Sequence, residues 1–407
     1  MNALKQRSRV AVISPFLDKR HGSERIMIEW LSHLPAEFDM HVYSQRVEDF
    51  DPAKFTLHRI PQLPGPHLFN FLWWLAANRL WMGWDRRIRG LRHDLIFSSG
   101  ANRFGADVIC VHIVFREYVR QVEAGMRLSQ NSVWHWPRLL HRKLYYAIAN
   151  RMEWGSYTNP EAKLVVYSRK TSEELGQFFG RRDEIPILYL GLDHSVFNPG
   201  RRTALRRVAR GELELTQDQF ALLLVGNDWR NKGVPVLLEA LALLHELPIL
   251  LFVVSREDSS ACLRLVKETR LEDRVRFLPP RNDIEFYYAA ADAYAGPSLQ
   301  DSYSMPPAEA MACGLPVIVS AAAGVSEIVK DGADGLILDN PRDATALAAM
   351  IRRLYKDEAF RTRLGERAVE TTRQYTWERN GQELGAIFEE VLLRKTRPAT
   401  QELGQEL

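Results

Sequence analysis

The chain has 407 residues, 46% hydrophobic and 26% charged, proportions of a folded globular protein of two to three domains that exclude a disordered, collagen-like or small disulfide-scaffold chain. With 54 basic and 51 acidic residues the net charge is +3, too balanced for a dedicated nucleic-acid binder; residues 1–200 carry an excess of seven bases and the remainder an excess of four acids. The cysteines Cys110, Cys262 and Cys313 lack metal-ligand spacing, and residues 1–9 lack the apolar core of a secretory signal, so a reducing, cytoplasmic setting is expected.

Residues 10–16 read as an opening strand, followed by a helix with Ile26, Met27, Trp30, Leu31 and Leu34 on one face. A strand follows at 40–44. From Leu68 to Trp84 the chain reads LFNFLWWLAANRLWMGW, with four of the ten tryptophans. Apolar residues occur on all sides of the implied helix, which must therefore be covered by protein or lipid. Asn70, Asn78, Arg79 and Gly83 interrupt it too often for a membrane span. Because Arg86, Arg87, Arg89 and Arg92 come next, two readings stand for the stretch from Leu68 to Arg92: core of the first domain, or docking on an anionic membrane surface.

Further strands are predicted at 94–98, 107–112, 163–168 and 187–190. A turn at Asn198-Pro199-Gly200 and an arginine-rich helical stretch from Arg201 to Arg210 mark a domain boundary. The rhythm then restarts with strands at 220–225, 249–255, 275–278, 293–296, 316–320 and 336–338. Helices lie at 234–247, where Leu237, Leu241 and Leu244 form the inner stripe, and at 259–270, 344–355, 359–373 and 378–394. Short apolar strands alternating with helices predict parallel sheets. The expected architecture is two tandem, doubly wound α/β domains with a ligand cleft between them.

Neither G-x-G-x-x-G nor G-x-x-x-x-G-K-[ST] occurs, so a dinucleotide fingerprint and a P-loop are excluded. The informative stretch runs from Pro297 to Lys330, PSLQDSYSMPPAEAMACGLPVIVSAAAGVSEIVK. It predicts a strand end, a loop, a short helix and another strand. Ser304 suits the N-cap, Pro306 and Pro307 the first turn, and Gly314 the helix exit. N–H groups around Ser302–Met305 would then face a ligand at the positive end of a helix, a site for a diphosphate. Asp301 and Glu309 flank it, as acceptors for the vicinal hydroxyls of a ribose or hexose.

This stretch resembles glycosyltransferase family 4, the retaining nucleotide-sugar-dependent transferases of GT-B fold, whose pattern is E-x7-E followed by AMACGxPV and a GGxxEVV loop. Here it reads Asp301-Ser302-Tyr303-Ser304-Met305-Pro306-Pro307-Ala308-Glu309, then AMACGLPVIVS and Gly324-Val325-Ser326-Glu327-Ile328-Val329. Two departures stand out: Asp301 replaces the first glutamate, and Ser302 and Ser304 replace two glycines. Likewise Gly226-Asn227-Asp228-Trp229-Arg230-Asn231-Lys232-Gly233 is similar to the family's first donor-domain loop. His21-Gly22-Ser23-Glu24-Arg25 is similar to its GGxER loop, and His112 stands where its active-site histidine does. The segment from Tyr189-Leu190-Gly191-Leu192-Asp193 to Pro199 resembles the one before the interdomain linker. Trp377-Glu378-Arg379 resembles the start of a terminal helix that crosses back.

The resemblance implies an acceptor-binding domain over 1–197, a donor-binding domain over 198–378, a returning helix over 379–395 and a disordered tail over 396–407. It implies a hexosyltransferase moving a sugar, with retention, from a nucleoside-diphosphate donor to a hydroxyl of a glycolipid, lipopolysaccharide or polysaccharide intermediate. His112, Asp301, Lys232 and Arg230 take catalytic places. Glu309, Gly226, Ser302, Tyr303, Ser304, Met305 and Gly22 take donor-binding ones. Neither cofactor nor metal is expected, the nucleotide sugar being a substrate, and Asp49-Phe50-Asp51, which spells a metal-binding D-x-D, is read as chance. The expected partners are the donor and a carbohydrate or lipid-linked acceptor, with no nucleic acid. The location is cytoplasmic, with membrane docking placing it on the cytosolic face. The departures keep a second reading open, a catalytically silent sugar-nucleotide-binding or scaffold subunit. An epimerase of the same fold is the third.

Overall fold

The computed structural model describes residues 7–19, 22–122 and 136–396; His21 and the tail beyond 396 lie outside them. The chain divides into two units, one of Met1–Tyr189 with Trp377–Leu407, the other of Leu190–Thr376.

The first unit runs β1 (Ser8–Ile13), β2 (Phe16–Leu17), α1 (Gly22–Ser32), β3 (Phe38–Ser44), β4 (Arg46–Val47), β5 (Thr56–Arg59) and α2 (His67–Ile88). It continues with β6 (Leu95–Ser99), β7 (Val108–Cys110), α3 (Phe115–Val122), α4 (Trp136–Tyr157), β8 (Lys163–Val165) and α5 (Arg169–Phe179). Six strands form a parallel sheet in the order β5-β3-β1-β6-β7-β8, and β2 and β4 pair separately. Val10, Ala11, Val12 and Ile13 are fully buried, as strands covered on both faces require. The chain's last helix, Trp377–Thr396, packs here, setting Phe388 edge-on against Phe38 and Phe97 at 5.5 and 5.2 Å.

The second unit runs α6 (Pro199–Glu212), β9 (Phe220–Val225), α7 (Val234–Ala242), β10 (Ile249–Val254), α8 (Ser260–Glu268), β11 (Val275–Leu278) and α9 (Glu285–Ala290). Then come β12 (Ala293–Gly296), α10 (Met305–Ala312), β13 (Val317–Ser320), β14 (Leu336–Leu338), α11 (Ala344–Lys356) and α12 (Glu358–Thr372); the last helix of the chain is α13. Its parallel sheet has the order β11-β10-β9-β12-β13-β14. In both sheets the first strand is interior, the next two lie on one side and the last three on the other. This is the doubly wound order whose ligand crevice opens at the carboxyl ends of the two central strands.

Several expectations need correction. Residues 187–190 form no strand; Ile187 makes only an isolated bridge to Val166. The expected strand at 10–16 breaks after Ile13. β5 falls in a stretch read as loop, because an edge strand needs few apolar residues and only His58 of its four is buried. Pro199 and Gly200 open α6 instead of turning, with Asn198 capping the Arg201 amide at 2.9 Å. In the segment read as a chance D-x-D, Asp49 accepts from the Lys19 amide at 3.3 Å, Phe50 stacks on Phe55, and Asp51 caps a short turn at the Ala53 amide.

The arginine-rich stretch has a folding role. Arg202, Arg206 and Arg210 recur every four residues and so share one face of α6. Arg206 reaches the carbonyls of Ala289 and Ala291 at 3.1 and 2.9 Å and the Asp292 carboxylate at 2.5 Å. Arg202 reaches Ala291 O and Gly314 O, and Arg210 reaches Ala290 O and Asp292. The stripe satisfies carbonyls at the negative end of α9, where cations are favoured.

α2 is covered on one side only. Trp74, Ala77, Asn78, Met82 and Asp85 are buried, while Phe69, Leu72, Leu80, Trp84 and Ile88 are exposed, the last at 65%. Of the two readings, core of the first domain therefore accounts for one face of the helix only. Among the described residues no helix is long and apolar enough to cross a membrane.

Candidate active site

The C-terminal unit gathers its site at the carboxyl ends of β9 and β12, the central strands of its sheet. β9 leaves through Gly226, whose φ is +153°; a Cβ there would come within 2.9 Å of the Lys232 Cε. The missing side chain is the path along which the lysine stem runs. Gly233, at φ +81°, would place a Cβ 2.1 Å from the Pro297 carbonyl oxygen, so only glycine lets this loop press on the exit of β12. Two hydrogen bonds of 2.7 Å stitch the loops together: the Leu299 amide donates to Asn231 O, and Asn231 Nδ2 donates to Gln300 O.

As a result Lys232 Nζ forms an ion pair with the Asp301 carboxylate, and it lies 3.4 Å from Ser304 Oγ. The pair is held mostly out of solvent, each side chain 18% exposed. The Asp301 backbone is clamped in turn, its amide donating to Ala322 O at 3.2 Å and its carbonyl accepting from Gly324 at 3.1 Å. Tyr303, buried, accepts at its carbonyl from the Val325 amide at 2.8 Å. Ser304 heads α10 but its side chain makes no cap bond, against expectation. Its φ of +74° accounts for this: the residue sits in a region that favours glycine, and its hydroxyl turns to Lys232. α10 begins at Met305, with Pro306 and Pro307 in its first turn, and ends at Gly314 in a Schellman turn, Leu315 donating to Ala310 O at 2.9 Å.

Glu309, on the second turn of α10, is 3% exposed and accepts from the Tyr288 hydroxyl at 2.7 Å. Tyr294, whose hydroxyl lies 3.4 Å from Val225 O, ties the parts together. Burial first, and then the carboxylates of both Asp301 and Glu309, hold that phenol well above its usual pKa. Gly226, Asp301 and Ser304 thus converge on Lys232, and Glu309, held by Tyr288, lies on the helix that Ser304 heads. Ser302, Tyr303 and Met305 complete the loop between. Arg230 is not brought in: it is exposed, with its guanidinium 5.5 Å from the ring centre of its neighbour Trp229. Lys232, two residues on, reaches the Asp301 carboxylate instead.

Two candidates belong to the N-terminal unit. Gly22 is the exposed first residue of α1, with open space around its Cα. His112 lies just beyond the end of β7 with both ring nitrogens engaged, Nε2 by Ser99 Oγ at 2.7 Å and Nδ1 by the Tyr167 hydroxyl at 2.5 Å. Burial takes its pKa down to about 4. Sequence reasoning missed Ser99, Tyr167, Tyr288 and Tyr294. The first two do carry a sequence signal, a polar residue at or just past the end of an apolar strand run. Among the described residues no group of three or more His, Cys, Asp or Glu is placed to hold a metal ion.

Residues 206–371 match the model of the family described as glycosyl transferases group 1. A D-inositol 3-phosphate glycosyltransferase of Salinispora tropica is 31% identical over 252 residues, 57% of this chain and 52% of the relative. Another, from a Nocardioides species, is 32% identical over 226 residues, 50% and 48% of the two chains. The chain thus spans about half the length of the curated relatives it matches. Among solved structures WaaG, a glycosyltransferase involved in lipopolysaccharide biosynthesis, is similar with a TM-score of 0.72 at 22% identity, over 93% of this chain and 99% of that one. Anabaena HepE in complex with UDP-glucose gives 0.67 at 18% identity, over 94% and 99%. The fold is of GT-B type, and the stretch that matches the group 1 glycosyl transferase model, residues 206–371, contains the Lys232–Asp301 pair and Glu309.

Proposed function

We propose that the protein is a hexosyltransferase of the family 4 kind, moving a sugar from a nucleoside diphosphate to an acceptor hydroxyl with retention and without a metal. The observation that carries this reading is the Lys232–Asp301 pair at the N-terminal end of α10, with the buried Glu309 one turn on. In the ligand-free pair the two charges neutralise each other. An entering diphosphate takes over Lys232 as a charge-assisted partner, and the positive end of α10 adds to it. Asp301 is then released to accept from hydroxyls of the sugar. Glu309, oriented by Tyr288, accepts from the ribose diol. As the glycosidic C–O bond breaks, the growing charge on the phosphate is met by Lys232. The acceptor hydroxyl attacks from the same face, and the leaving phosphate oxygen takes its proton.

Gly226 and Gly22 admit phosphate and ligand backbone contact, Ser302, Tyr303, Ser304 and Met305 line the loop, and Arg230 joins the diphosphate on leaving the Trp229 ring. His112 contributes beside the sugar as a neutral group. The acceptor class, a glycolipid, lipopolysaccharide or polysaccharide intermediate, is supported by the name of WaaG. The nucleotide-sugar donor is supported by the UDP-glucose held by HepE. A lipid-linked acceptor also suits α2, whose exposed Phe69, Leu72, Leu80, Trp84 and Ile88 adjoin Arg86, Arg87, Arg89 and Arg92. That pairing is the chemistry of peripheral contact with an anionic membrane, here on the cytosolic face of a cytoplasmic protein. A silent binding subunit is the second reading, favoured by Asp301 already occupying Lys232.

Thermal-shift screening against UDP-, GDP-, ADP- and CMP-sugars identifies the donor, because binding raises the melting temperature by mass action. Release of the nucleoside diphosphate with that donor then separates the two readings. Lys232→Ala and Glu309→Ala are expected to lower donor affinity or turnover by about 10- to 1,000-fold. If both retain wild-type binding and rate, the assignment fails.

A further inference from the structure

Four side chains at the carboxyl edge of the N-terminal sheet form a continuous hydrogen-bonded line. Ser99 ends β6 and Cys110 ends β7, and they are register partners. His112 comes two residues after Cys110, and Tyr167 two after Val165, the register partner of Cys110. The ladder continues past the strand ends through the Val111 amide to Val165 O at 2.8 Å. Cys110 Sγ donates to the Tyr167 oxygen at 3.0 Å, the Tyr167 hydroxyl meets His112 Nδ1 at 2.5 Å, and His112 Nε2 meets Ser99 Oγ at 2.7 Å.

One assignment of hydrogens satisfies every link. Burial pushes the Cys110 thiol up to about 12, so it stays protonated and donates. Burial also raises the Tyr167 phenol, which keeps its hydrogen. The ring of His112, neutral at pH 7, holds one hydrogen for two nitrogens. With the thiol hydrogen on the phenol oxygen, the remaining partner of the Tyr167 hydroxyl among the described residues is Nδ1, which takes its hydrogen. The ring hydrogen is then on Nε2 and points at Ser99 Oγ. Ser99, accepting there, retains a hydrogen to give, and no other group among the described residues takes it.

We propose that this line is a directed relay, in which Tyr167 is the positioning residue of His112 and the Ser99 hydroxyl is the donor presented to a sugar hydroxyl. The ligand class rests on the transferase reading above; the direction of the hydrogen bonds does not. Histidine side-chain 1H–15N correlation spectra of the full chain at pH 7 test that direction without ligand. A neutral His112 ring with its hydrogen on Nε2 is expected, giving way to a mixture of tautomers in Tyr167→Phe, a variant that keeps the ring packing. A hydrogen on Nδ1, a charged ring, or an unchanged tautomer in the variant overturns the relay. With the sugar nucleotide selected by the thermal screen, Ser99→Ala is expected to raise KM about 3- to 10-fold with kcat within twofold, and Ser99→Thr to restore it. An unchanged KM in Ser99→Ala removes Ser99 from ligand contact. Should no sugar nucleotide bind, the transferase reading fails, while the spectra still decide the relay.

Discussion

At the exit of β9 a lysine and an aspartate meet across loops shaped by two glycines. At the exits of β6 and β7, in a sheet wound in the same order, a serine, a histidine, a tyrosine and a thiol meet as neutral groups. One topology therefore serves two kinds of edge. The C-terminal edge is a charged site built by backbone: Gly226 and Gly233 decide where Lys232 can lie, and the clamped Asp301 backbone decides what it meets. The N-terminal edge is a neutral site built by burial, which keeps His112, Tyr167 and Cys110 uncharged. A ligand with a diphosphate suits the first, and one offering hydroxyls suits the second.

The sharpest way to break this contrast is at Gly233. Alanine there meets the Pro297 carbonyl at 2.1 Å in a positive-φ conformation, so Gly233→Ala is expected to destabilise the C-terminal unit by about 3–5 kcal/mol. Chemical denaturation followed by circular dichroism measures it; a loss below about 1 kcal/mol would mean the backbone does not shape this edge.

A second effect, spread over a range of pH, probes the N-terminal edge. Glu153 of α4 is buried and accepts from the Phe115 amide at 2.9 Å, at the start of α3 and three residues beyond His112. Burial pushes its pKa up to about 8, against the pull of the Phe115 and Arg116 amides. A raised carboxyl pKa means the folded protein holds a proton that the unfolded chain releases. Stability should therefore fall as pH rises between the unfolded value, near 4.5, and about 8, by up to about 1.4 kcal/mol per pH unit. Glu153→Gln should flatten that slope in melting temperatures measured from pH 5 to 8. An equal slope in both proteins would show that burial does not govern charge at this edge.

The smallest effect sharpens the contrast. Ser304→Gly relieves a φ of +74° and should stabilise the fold by about 1 kcal/mol while removing the hydroxyl beside Lys232. A loss of stability would show that the Ser304–Lys232 contact outweighs the strain.

The C-terminal edge was the more legible of the two because its determinants are local. Gly226, Lys232 and Gly233 lie within eight residues, as do Asp301, the two prolines and Glu309 nearly so, and each type announces its conformation or charge. The strands at 220–225 and 293–296 coincide with β9 and β12, since buried parallel strands read as unbroken apolar runs, and those at 275–278 and 336–338 coincide with the edge strands β11 and β14. β5 was not legible, because Thr56-Leu57-His58-Arg59 offers a single apolar residue, and that one is exposed. Nor was the purpose of the arginine stripe, since the carbonyls it serves lie 80 and more residues further on.

The sequence alone determined the alternation of strands and helices, the bends that need glycine, and the pair of acids flanking a helix start, because these follow from periodicity and from backbone freedom at single residues. Only the tertiary structure decided that Lys232 and not Arg230 meets Asp301, that Tyr288 holds Glu309, and that His112 is neutral with both nitrogens engaged. Those outcomes depend on which groups, up to 69 residues apart for Lys232 and Asp301, share one small volume shielded from water, where burial sets charge and each hydrogen bond must find its partner.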